Sequence, residues 1–264
     1  MSEEDSTPFA WNDTPTRLRK ALKQDEFVLF CQPILALTGS GGFALAEVLI
    51  RLREEEKALL PPGEFLPLFE EHDMMPLLDR WVLVRILQRL AAGCRVPRLA
   101  MNVASQTLLD EEFPAFFAES IKRAKMPAAA VVFEIDENDL VGRPQAVKRF
   151  AERIRAAGGG LAVSGFGRRL DSFEALETLR PDFVKVDGSI ILKITRSMTS
   201  EGVLKAVLRT GASLRIGVVA ECVEEQDVLL RLSALGVGYA QGFGVATPRP
   251  LDHLSPRFKA VDAA

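Results

Sequence analysis

Oxygen-bearing side chains recur at the ends of short apolar segments in this sequence. Carboxylate and amide oxygens are the ligands that hard divalent cations such as Mg²⁺ and Mn²⁺ prefer. Seven of the eight apolar segments carry an oxygen-bearing side chain at or near the C-terminal end, and these residues are Glu47, Asn102, Glu134, Ser164, Asp187, Glu221 and Gln241. They can act as one site only if the fold brings the segment ends together.

The apolar segments have the length of strands and alternate with longer amphipathic stretches. We predict strands at 27–35, 43–51, 98–103, 130–135, 160–165, 182–187, 216–221 and 238–242. We predict helices near 64–72, 76–92, 109–125, 143–157, 171–179, 199–214 and 225–235. The apolar residues between Trp81 and Leu90 are interpreted as core packing of their helix. This alternation indicates an α/β fold, either a closed parallel barrel or a doubly wound sheet.

The distribution of the polar residues favours the barrel. In an open sheet such residues converge only at a switch point, whereas a barrel brings every strand end to one mouth. The turn at residues 38–42 is too short for a crossover helix, so the first two strands should pair antiparallel. We therefore predict a modified (β/α)8 TIM-like barrel with an antiparallel first strand. It would span residues 15–255, between a disordered leader at 1–14 and a C-terminal tail at 256–264.

Length and charge narrow the class of protein further. A chain of 264 residues suits one barrel-sized domain. The net charge of −3, from 33 basic and 36 acidic residues, argues against a nucleic-acid partner or an anionic membrane surface. The acidic N-terminus is unlike a signal peptide, and no segment has membrane-spanning length. Three cysteines without a C-x-x-C pair suit a reducing compartment, so we expect a cytoplasmic location.

Short motifs occur along the chain in the order FCQPI, EVLIR, MNVAS, FEIDE, KVD, AECVE and QGF. This set resembles the motifs of EAL domains, a bacterial family of cyclic di-GMP phosphodiesterases. FCQPI at 30–34 resembles the family's YQPI, and EVLIR at 47–51 resembles the EALxR that names it. MNVAS at 101–105, FEIDE at 133–137 and KVD at 185–187 resemble VNLS, LEITE and KID. AECVE at 220–224 and QGF at 241–243 resemble AEGVE and QGY. In register over about residues 17–250, these motifs make the chain similar to an EAL domain.

This resemblance implies a two-metal site for phosphodiester hydrolysis at the barrel mouth. Two divalent cations neutralise the negative charge that develops on the phosphorane oxygens, and they generate hydroxide near neutral pH. Lys185 would orient or deprotonate the attacking water. The metal ligands that the resemblance implies, with Gln241 beside them, are Glu47, Asn102, Glu134, Asp187 and Glu221.

One family motif, DDFGTG, is replaced by SGFGRR. Ser164 and Gly165 stand at the two aspartate positions, while Phe166 and Gly167 keep the register. The change removes two negative charges and several oxygen ligands, and Mg²⁺ tolerates incomplete coordination badly. We therefore expect neither bound Mg²⁺ or Mn²⁺ nor phosphodiesterase activity. Lys185 and Glu221, together with the remaining metal ligands, are interpreted as vestigial.

Nucleotide binding can survive the loss of catalysis. Arg51 can donate two hydrogen bonds to a phosphate, although an ion pair at the barrel rim is the alternative. Leu49, Pro62 and Phe65 could contact guanine, although Phe65 equally suits a helix core. The residues that we predict to bind cyclic di-GMP are Gln32, Glu47, Leu49, Arg51, Asn102, Glu134, Asp187 and Gln241.

Two arginines follow the altered motif. Without metals, the mouth carboxylates would face one another with no cation, which is electrostatically costly. Arg168 or Arg169 could reach into the mouth and supply the missing positive charge. Alternatively, both are solvated on a loop, as loop charges commonly are.

Three functions remain open, ranked in this order. The first is a catalytically inactive EAL domain that binds cyclic di-GMP and signals to a protein partner, with homodimer formation also possible. The second is an interaction scaffold that no longer binds nucleotide. The third is a weakly active, metal-dependent cyclic di-GMP phosphodiesterase.

Overall fold

A computed structural model describes residues 13–38, 42–53, 59–93 and 96–253. The predicted tail, and all but the last two residues of the predicted leader, lie outside these ranges. The strands are β1 (Phe27–Ala36), β2 (Gly42–Arg53), β3 (Leu59–Leu60), β4 (Leu99–Asn102), β5 (Val131–Asp136), β6 (Gly160–Phe166), β7 (Phe183–Val186), β8 (Gly217–Ala220), β9 (Tyr239–Ala240) and β10 (Arg249–Pro250). The helices are α1 (Thr14–Lys23), α2 (Pro62–Glu71), α3 (Met75–Ala91), α4 (Ser105–Leu109), α5 (Phe113–Ala124), α6 (Glu137–Gly142), α7 (Pro144–Ala156), α8 (Ser172–Leu179), α9 (Gly188–Ile191), α10 (Met198–Leu214) and α11 (Gln226–Ala234).

Eight of the strands close into a barrel. β2 and β4 to β9 pair with their neighbours in parallel, in chain order. β1 closes the ring by pairing antiparallel with both β2 and β9, and it places Gln32 opposite Glu47. Short strands β3 and β10 extend the sheet beside β2 and β1. The predicted barrel with a reversed first strand is therefore confirmed.

An apolar layer fills the barrel directly beneath the predicted site. Side chains alternate between the two faces of a strand, so the residue two positions before each inward polar residue also points inward. These polar residues are Glu47, Asn102, Glu134, Ser164, Lys185 and Glu221. In the reversed strand β1 the equivalent residue comes two positions later. These inward residues, all at most 6% exposed, are Ile34, Leu45, Ala100, Val132, Ala162, Phe183 and Val219. The polar groups of the mouth therefore rest on a dry, low-dielectric floor, which strengthens their electrostatic interactions.

The outer face of the barrel packs against the ring of helices in one continuous core. A smaller core lies at the mouth end, where α1 and α2 cover the start of β1, and it contains Leu18, Phe27, Leu52, Phe65 and Phe69. Across the described part of the chain, none of the helices combines the length and the apolar character that crossing a membrane requires.

Candidate functional site

The ammonium group of Lys185 lies at the centre of the barrel mouth. β7 directs this side chain into the barrel, because Lys185 alternates with Val184 and Val186, which belong to the outer core. Its Nζ is 2.7 Å from Glu47 Oε2, 2.8 Å from Glu134 Oε2 and 3.1 Å from Glu221 Oε1. Lys185 is only 1% exposed. One buried cation therefore forms ion pairs with three glutamates, which lie on or directly after three other strands.

Side-chain amides fix the orientation of Glu47. Asn102 Nδ2 donates to Glu47 Oε1 at 2.9 Å, and Gln241 Nε2 donates to Glu47 Oε2 at 2.7 Å. Gln241 also donates to Gln32 Oε1 at 3.1 Å, and Gln32 Nε2 donates to the Ala246 carbonyl at 3.0 Å. The structure thus brings these four predicted residues together in one hydrogen-bonded chain.

Two buried oxygens of the mouth are available for hydrogen bonding. Glu134 Oε1 and Gln241 Oε1 have no hydrogen-bond partner among the described residues. A buried polar atom without a partner is costly, so such atoms commonly mark the position of a polar ligand or water.

Burial and charge set the protonation of this cluster. Burial, together with the charges of Glu47 and Glu221, raises the pKa of Glu134 to about 8 despite the opposing Lys185. Burial also raises the pKa of Glu221. Although burial opposes ionisation of Lys185, the surrounding carboxylates raise its pKa well above the usual range. The lysine therefore stays charged at neutral pH, and Glu134 is a carboxyl that readily holds a proton.

The two arginines of the altered motif have different positions. Arg169 Nη2 pairs with Asp171 at 2.7 Å, as expected for a solvated loop residue. Arg168 folds back, and its Nε is 3.6 Å from Asp187 Oδ2. Neither forms an ion pair with Glu47 or Glu134 within the described residues. The expectation that Glu47 and Glu134 face each other without a cation is wrong, because the Lys185 ammonium lies 2.7 Å from Glu47 and 2.8 Å from Glu134.

Asp187 is engaged by its own helix. Its Oδ1 accepts a hydrogen bond from the Ser189 amide at 2.8 Å, which caps the start of α9. The predicted metal ligand therefore has one carboxylate oxygen committed to the backbone. Across the described ranges, no group of three or more histidine, cysteine, aspartate or glutamate side chains is arranged to hold a metal ion.

A cavity of about 460 Å³ opens beside the Lys185 cluster. Leu49 and Pro62, both predicted to contact guanine, line it together with Asn102, Glu134 and Ser164. Its volume is typical of small-molecule pockets, which are mostly apolar with a few placed polar groups.

Phe65, the third predicted guanine contact, is fully buried and packs against Phe27 and Phe69 at ring-centroid distances of 5.4 and 6.5 Å. For Phe65 the alternative of a helix-core role is therefore confirmed.

Asp79, which the sequence interpretation missed, also lines this cavity. It lies on α3, is 5% exposed, and its Oδ2 accepts a hydrogen bond from the Ala104 amide at 3.1 Å. Burial raises the pKa of Asp79 to about 6. The sequence did contain a signal for Asp79, because this acidic residue occupies the apolar helix face that also carries Val82, Leu83 and Ile86.

Arg51 lies on the same face of β2 as Glu47 and Leu49, because side chains on one face of a strand are two residues apart. Four residues of strand separate Arg51 from Glu47 by about 13 Å. Arg51 Nη1 donates to the Ile50 carbonyl at 2.8 Å, and the guanidinium lies 5.8 Å from the centre of the Phe30 ring. No carboxylate among the described residues forms an ion pair with Arg51, so the alternative of a rim ion pair has no partner there.

Comparison with known proteins identifies the family to which this barrel belongs. The sequence profile of the EAL domain matches residues 16–248. The chain belongs to the EAL domain family. The resemblance predicted from the motifs is therefore confirmed over nearly the whole barrel.

Curated relatives of this EAL domain include cyclic di-GMP phosphodiesterases. PdeF of Escherichia coli is 27% identical over 238 residues, covering 89% of this chain and 32% of PdeF. RocR of Pseudomonas aeruginosa is 30% identical over 238 residues, covering 89% of this chain and 60% of RocR. The chain thus spans about a third of the length of PdeF and three fifths of RocR.

Solved EAL domains have the same architecture. The FimX EAL domain from Pseudomonas aeruginosa bound to c-di-GMP superposes with a TM-score of 0.85 at 27% identity, covering 94% of this chain and all of that one. The Xanthomonas citri FimX EAL domain in complex with c-di-GMP gives a TM-score of 0.84 at 25% identity, covering 94% and 96%.

Proposed function

We propose that this EAL domain is a bacterial, cytoplasmic receptor that binds cyclic di-GMP without a divalent metal and does not hydrolyse it. The observation that carries the proposal is the presence of Ser164 and Gly165 at the positions of the family's aspartate pair. A receptor without enzymatic output acts through protein contacts, either with a partner or with a second copy of the chain.

The donor set at the mouth does not suit a pair of divalent cations. Glu47, Glu134 and Glu221 already contact the Lys185 ammonium, and one oxygen of Asp187 caps α9. Ser164 offers only a neutral hydroxyl and Gly165 offers no side chain. Two cations close together repel each other strongly, so they need bridging anionic ligands, which these residues do not provide.

The cavity offers the complementary groups for a guanine nucleotide. Guanine presents two adjacent donors, N1–H and N2–H, which match the two oxygens of a carboxylate such as Asp79. Leu49 and Pro62 provide apolar surface for the ring. Phe243, which is 63% exposed and follows Gln241 at the mouth end of β9, offers an aromatic face for stacking a second base.

The phosphates would lie between the two ends of the cavity. Arg51 is free of carboxylate partners among the described residues, and a planar guanidinium binds phosphate through two parallel hydrogen bonds. At the other end, the Lys185 ammonium contributes a positive charge and a protonated Glu134 contributes a hydrogen-bond donor. Together these groups support metal-independent binding of an anionic dinucleotide.

Replacing Asp79 with asparagine is expected to weaken nucleotide binding and to stabilise the fold at neutral pH. The amide keeps one acceptor for the Ala104 amide but cannot accept both guanine donors, so affinity should fall by about 10- to 100-fold. Isothermal titration calorimetry measures this effect. An unchanged affinity would remove Asp79 from the binding site.

The stability effect of the same variant follows from the raised pKa of Asp79. A carboxyl with a folded-state pKa of about 6 stabilises the fold below about pH 4, and this contribution is lost as the pH rises through 6. The loss amounts to about 3 kcal/mol. Asp79→Asn should abolish this part of the pH dependence, which urea denaturation between pH 4 and 7 would reveal.

A second candidate, weak phosphodiesterase activity, is favoured by the names of relatives such as PdeF and RocR. It requires that water or another side chain replaces the lost aspartates. The scaffold alternative, which requires only that nucleotide binding has been lost, remains as the third.

Calorimetry with cyclic di-GMP, first in EDTA and then in Mg²⁺ or Mn²⁺, separates these functions when it is combined with product analysis. Equal affinity in both buffers, with intact nucleotide afterwards, supports the receptor. Absence of binding in both buffers supports the scaffold. Linear dinucleotide that forms only with metal supports the enzyme and contradicts our proposal.

A further inference from the structure

The guanidinium of Arg168 occupies the space in which a side chain at position 165 would lie. A Cβ atom built on Gly165 would be 2.6 Å from Arg168 Nη2 and 3.0 Å from its Cζ. Both distances are shorter than normal non-bonded contacts. An aspartate at this position and the present conformation of Arg168 therefore exclude each other.

Hydrogen bonds hold Arg168 in this position from several sides. Its Nε donates to the Gly165 carbonyl at 2.7 Å, and its Nη2 donates to Asp136 Oδ1 and Oδ2 at 3.2 and 3.1 Å. Its own backbone amide donates to Glu137 Oε2 at 3.1 Å, as the Gly167 amide does to Glu137 Oε1 at 2.9 Å. The fully buried Glu137 thus anchors the loop that delivers the arginine.

Arg168 also forms ion pairs with a second group of carboxylates. Its Nε is 3.5 Å from Glu137 Oε2 and 3.6 Å from Asp187 Oδ2, and its Nη2 pairs with Asp136 at 3.1 Å. Lys185 neutralises a different group, formed by Glu47, Glu134 and Glu221. Among the described residues, Lys185 and Arg168 thus each lie within ion-pair distance of three carboxylates, and the two groups of carboxylates share no member.

We propose that Arg168 is a built-in replacement for a divalent cation and keeps such ions out of the β6 side of the mouth. Loss of the second aspartate makes room for the guanidinium, and the guanidinium then supplies the positive charge that Asp136, Glu137 and Asp187 require. This inference goes beyond the receptor function, since it concerns which cation the mouth accepts and does not depend on nucleotide binding.

Thermal unfolding of the wild type and of Arg168→Ala, with and without Mn²⁺ and in the absence of nucleotide, tests this inference. Removing the guanidinium leaves three carboxylates without their cation, so we expect the Tm to fall by about 3 to 6 °C and Mn²⁺ to restore at least half of the loss. The wild type should not respond to Mn²⁺.

Arg169→Ala is the matched control, because it removes an equal charge from the next residue, which pairs with Asp171. It should behave like the wild type in both buffers. A wild type that Mn²⁺ stabilises as strongly as Arg168→Ala would overturn the proposal, as would an Arg168→Ala variant indifferent to Mn²⁺.

A second measurement detects Mn²⁺ binding directly and does not rest on an unfolding transition. Electron paramagnetic resonance reports free Mn²⁺, and it would compare Gly165→Asp with the double variant Gly165→Asp/Arg168→Ala. We expect the double variant to bind Mn²⁺ at least about 10-fold more tightly, since the guanidinium no longer competes for the aspartate. Equal affinities would contradict the proposal. Nucleotide is absent from both experiments, so failure of the receptor function leaves their outcome unaffected.

Discussion

Replacing Arg51 with alanine is expected to lower the affinity for cyclic di-GMP by about 100-fold or more. Hydrogen bonds between charged groups contribute about 1.5 to 3 kcal/mol each, and a guanidinium can make two of them to one phosphate. Arg51 makes no ion pair among the described residues, so the fold itself should be little affected. Isothermal titration calorimetry in EDTA would measure the loss.

Arg98→Ala provides a matched control for this substitution. Arg98 also stacks on a phenylalanine, with its guanidinium 5.6 Å from the centre of the Phe183 ring, but it precedes β4 at the end of the barrel opposite the mouth. Its replacement should leave the affinity unchanged. If Arg51→Ala bound as tightly as Arg98→Ala, the phosphate would have to lie elsewhere.

Replacing Lys185 with methionine is expected to destabilise the domain by about 3 to 5 kcal/mol at neutral pH. The substitution keeps an unbranched, flexible side chain without the ammonium group, and it leaves Glu47, Glu134 and Glu221 facing one another without a buried cation. Removing one partner of a buried ion pair is costly for this reason. Urea denaturation would measure the difference in the free energy of unfolding.

The pH dependence of the lysine variant distinguishes this explanation from a simple packing defect. Burial and mutual repulsion already raise the pKa of Glu134 and of Glu221. Without Lys185 these pKa values should rise further, so the variant should regain stability as the pH falls from 8 towards 5.

Lys205→Met is the control for the lysine variant, because this exposed lysine pairs with Glu201 at 2.6 Å on the surface of α10. Exposed pairs contribute about 0 to 1 kcal/mol. An equal, small effect of both substitutions would contradict the role assigned to Lys185.

The barrel could be predicted from the sequence because apolar segments of strand length alternate with amphipathic helical segments along the whole chain. Seven of the eight predicted strands carry a polar residue at or near the C-terminal end, and the layer below, such as Val132 beneath Glu134, is apolar at the preceding inward position. The antiparallel direction of β1 was predicted from the turn at residues 38–42, which is too short for a crossover helix. The eight strands were therefore located correctly, whereas short helices such as α4, α6 and α9 were missed since they contain too few residues to show a period.

The positions of the cations could not be predicted, because they depend on three-dimensional distances that motifs do not contain. Lys185 was interpreted as a vestigial catalytic residue, yet it holds three carboxylates together. Arg168 and Arg169 are equivalent in sequence, but only Arg168 has a glycine three residues earlier whose missing side chain leaves room for it. Asp79 was overlooked because its helix was interpreted as ordinary core.

The reversed direction of β1 also determines where the chain enters the barrel. Phe27, the first residue of β1, lies opposite Leu52, beyond Glu47 on the mouth side, so α1 reaches the barrel at the mouth end. Leu18 of α1 shares a core with Phe65 of α2, and Leu66 of the same helix lines the cavity. A fluorophore attached to the exposed face of α1, at Arg19 for example, would therefore report on events in the cavity. This geometry makes α1 a suitable attachment point for a fluorescent reporter of the nucleotide binding that we propose.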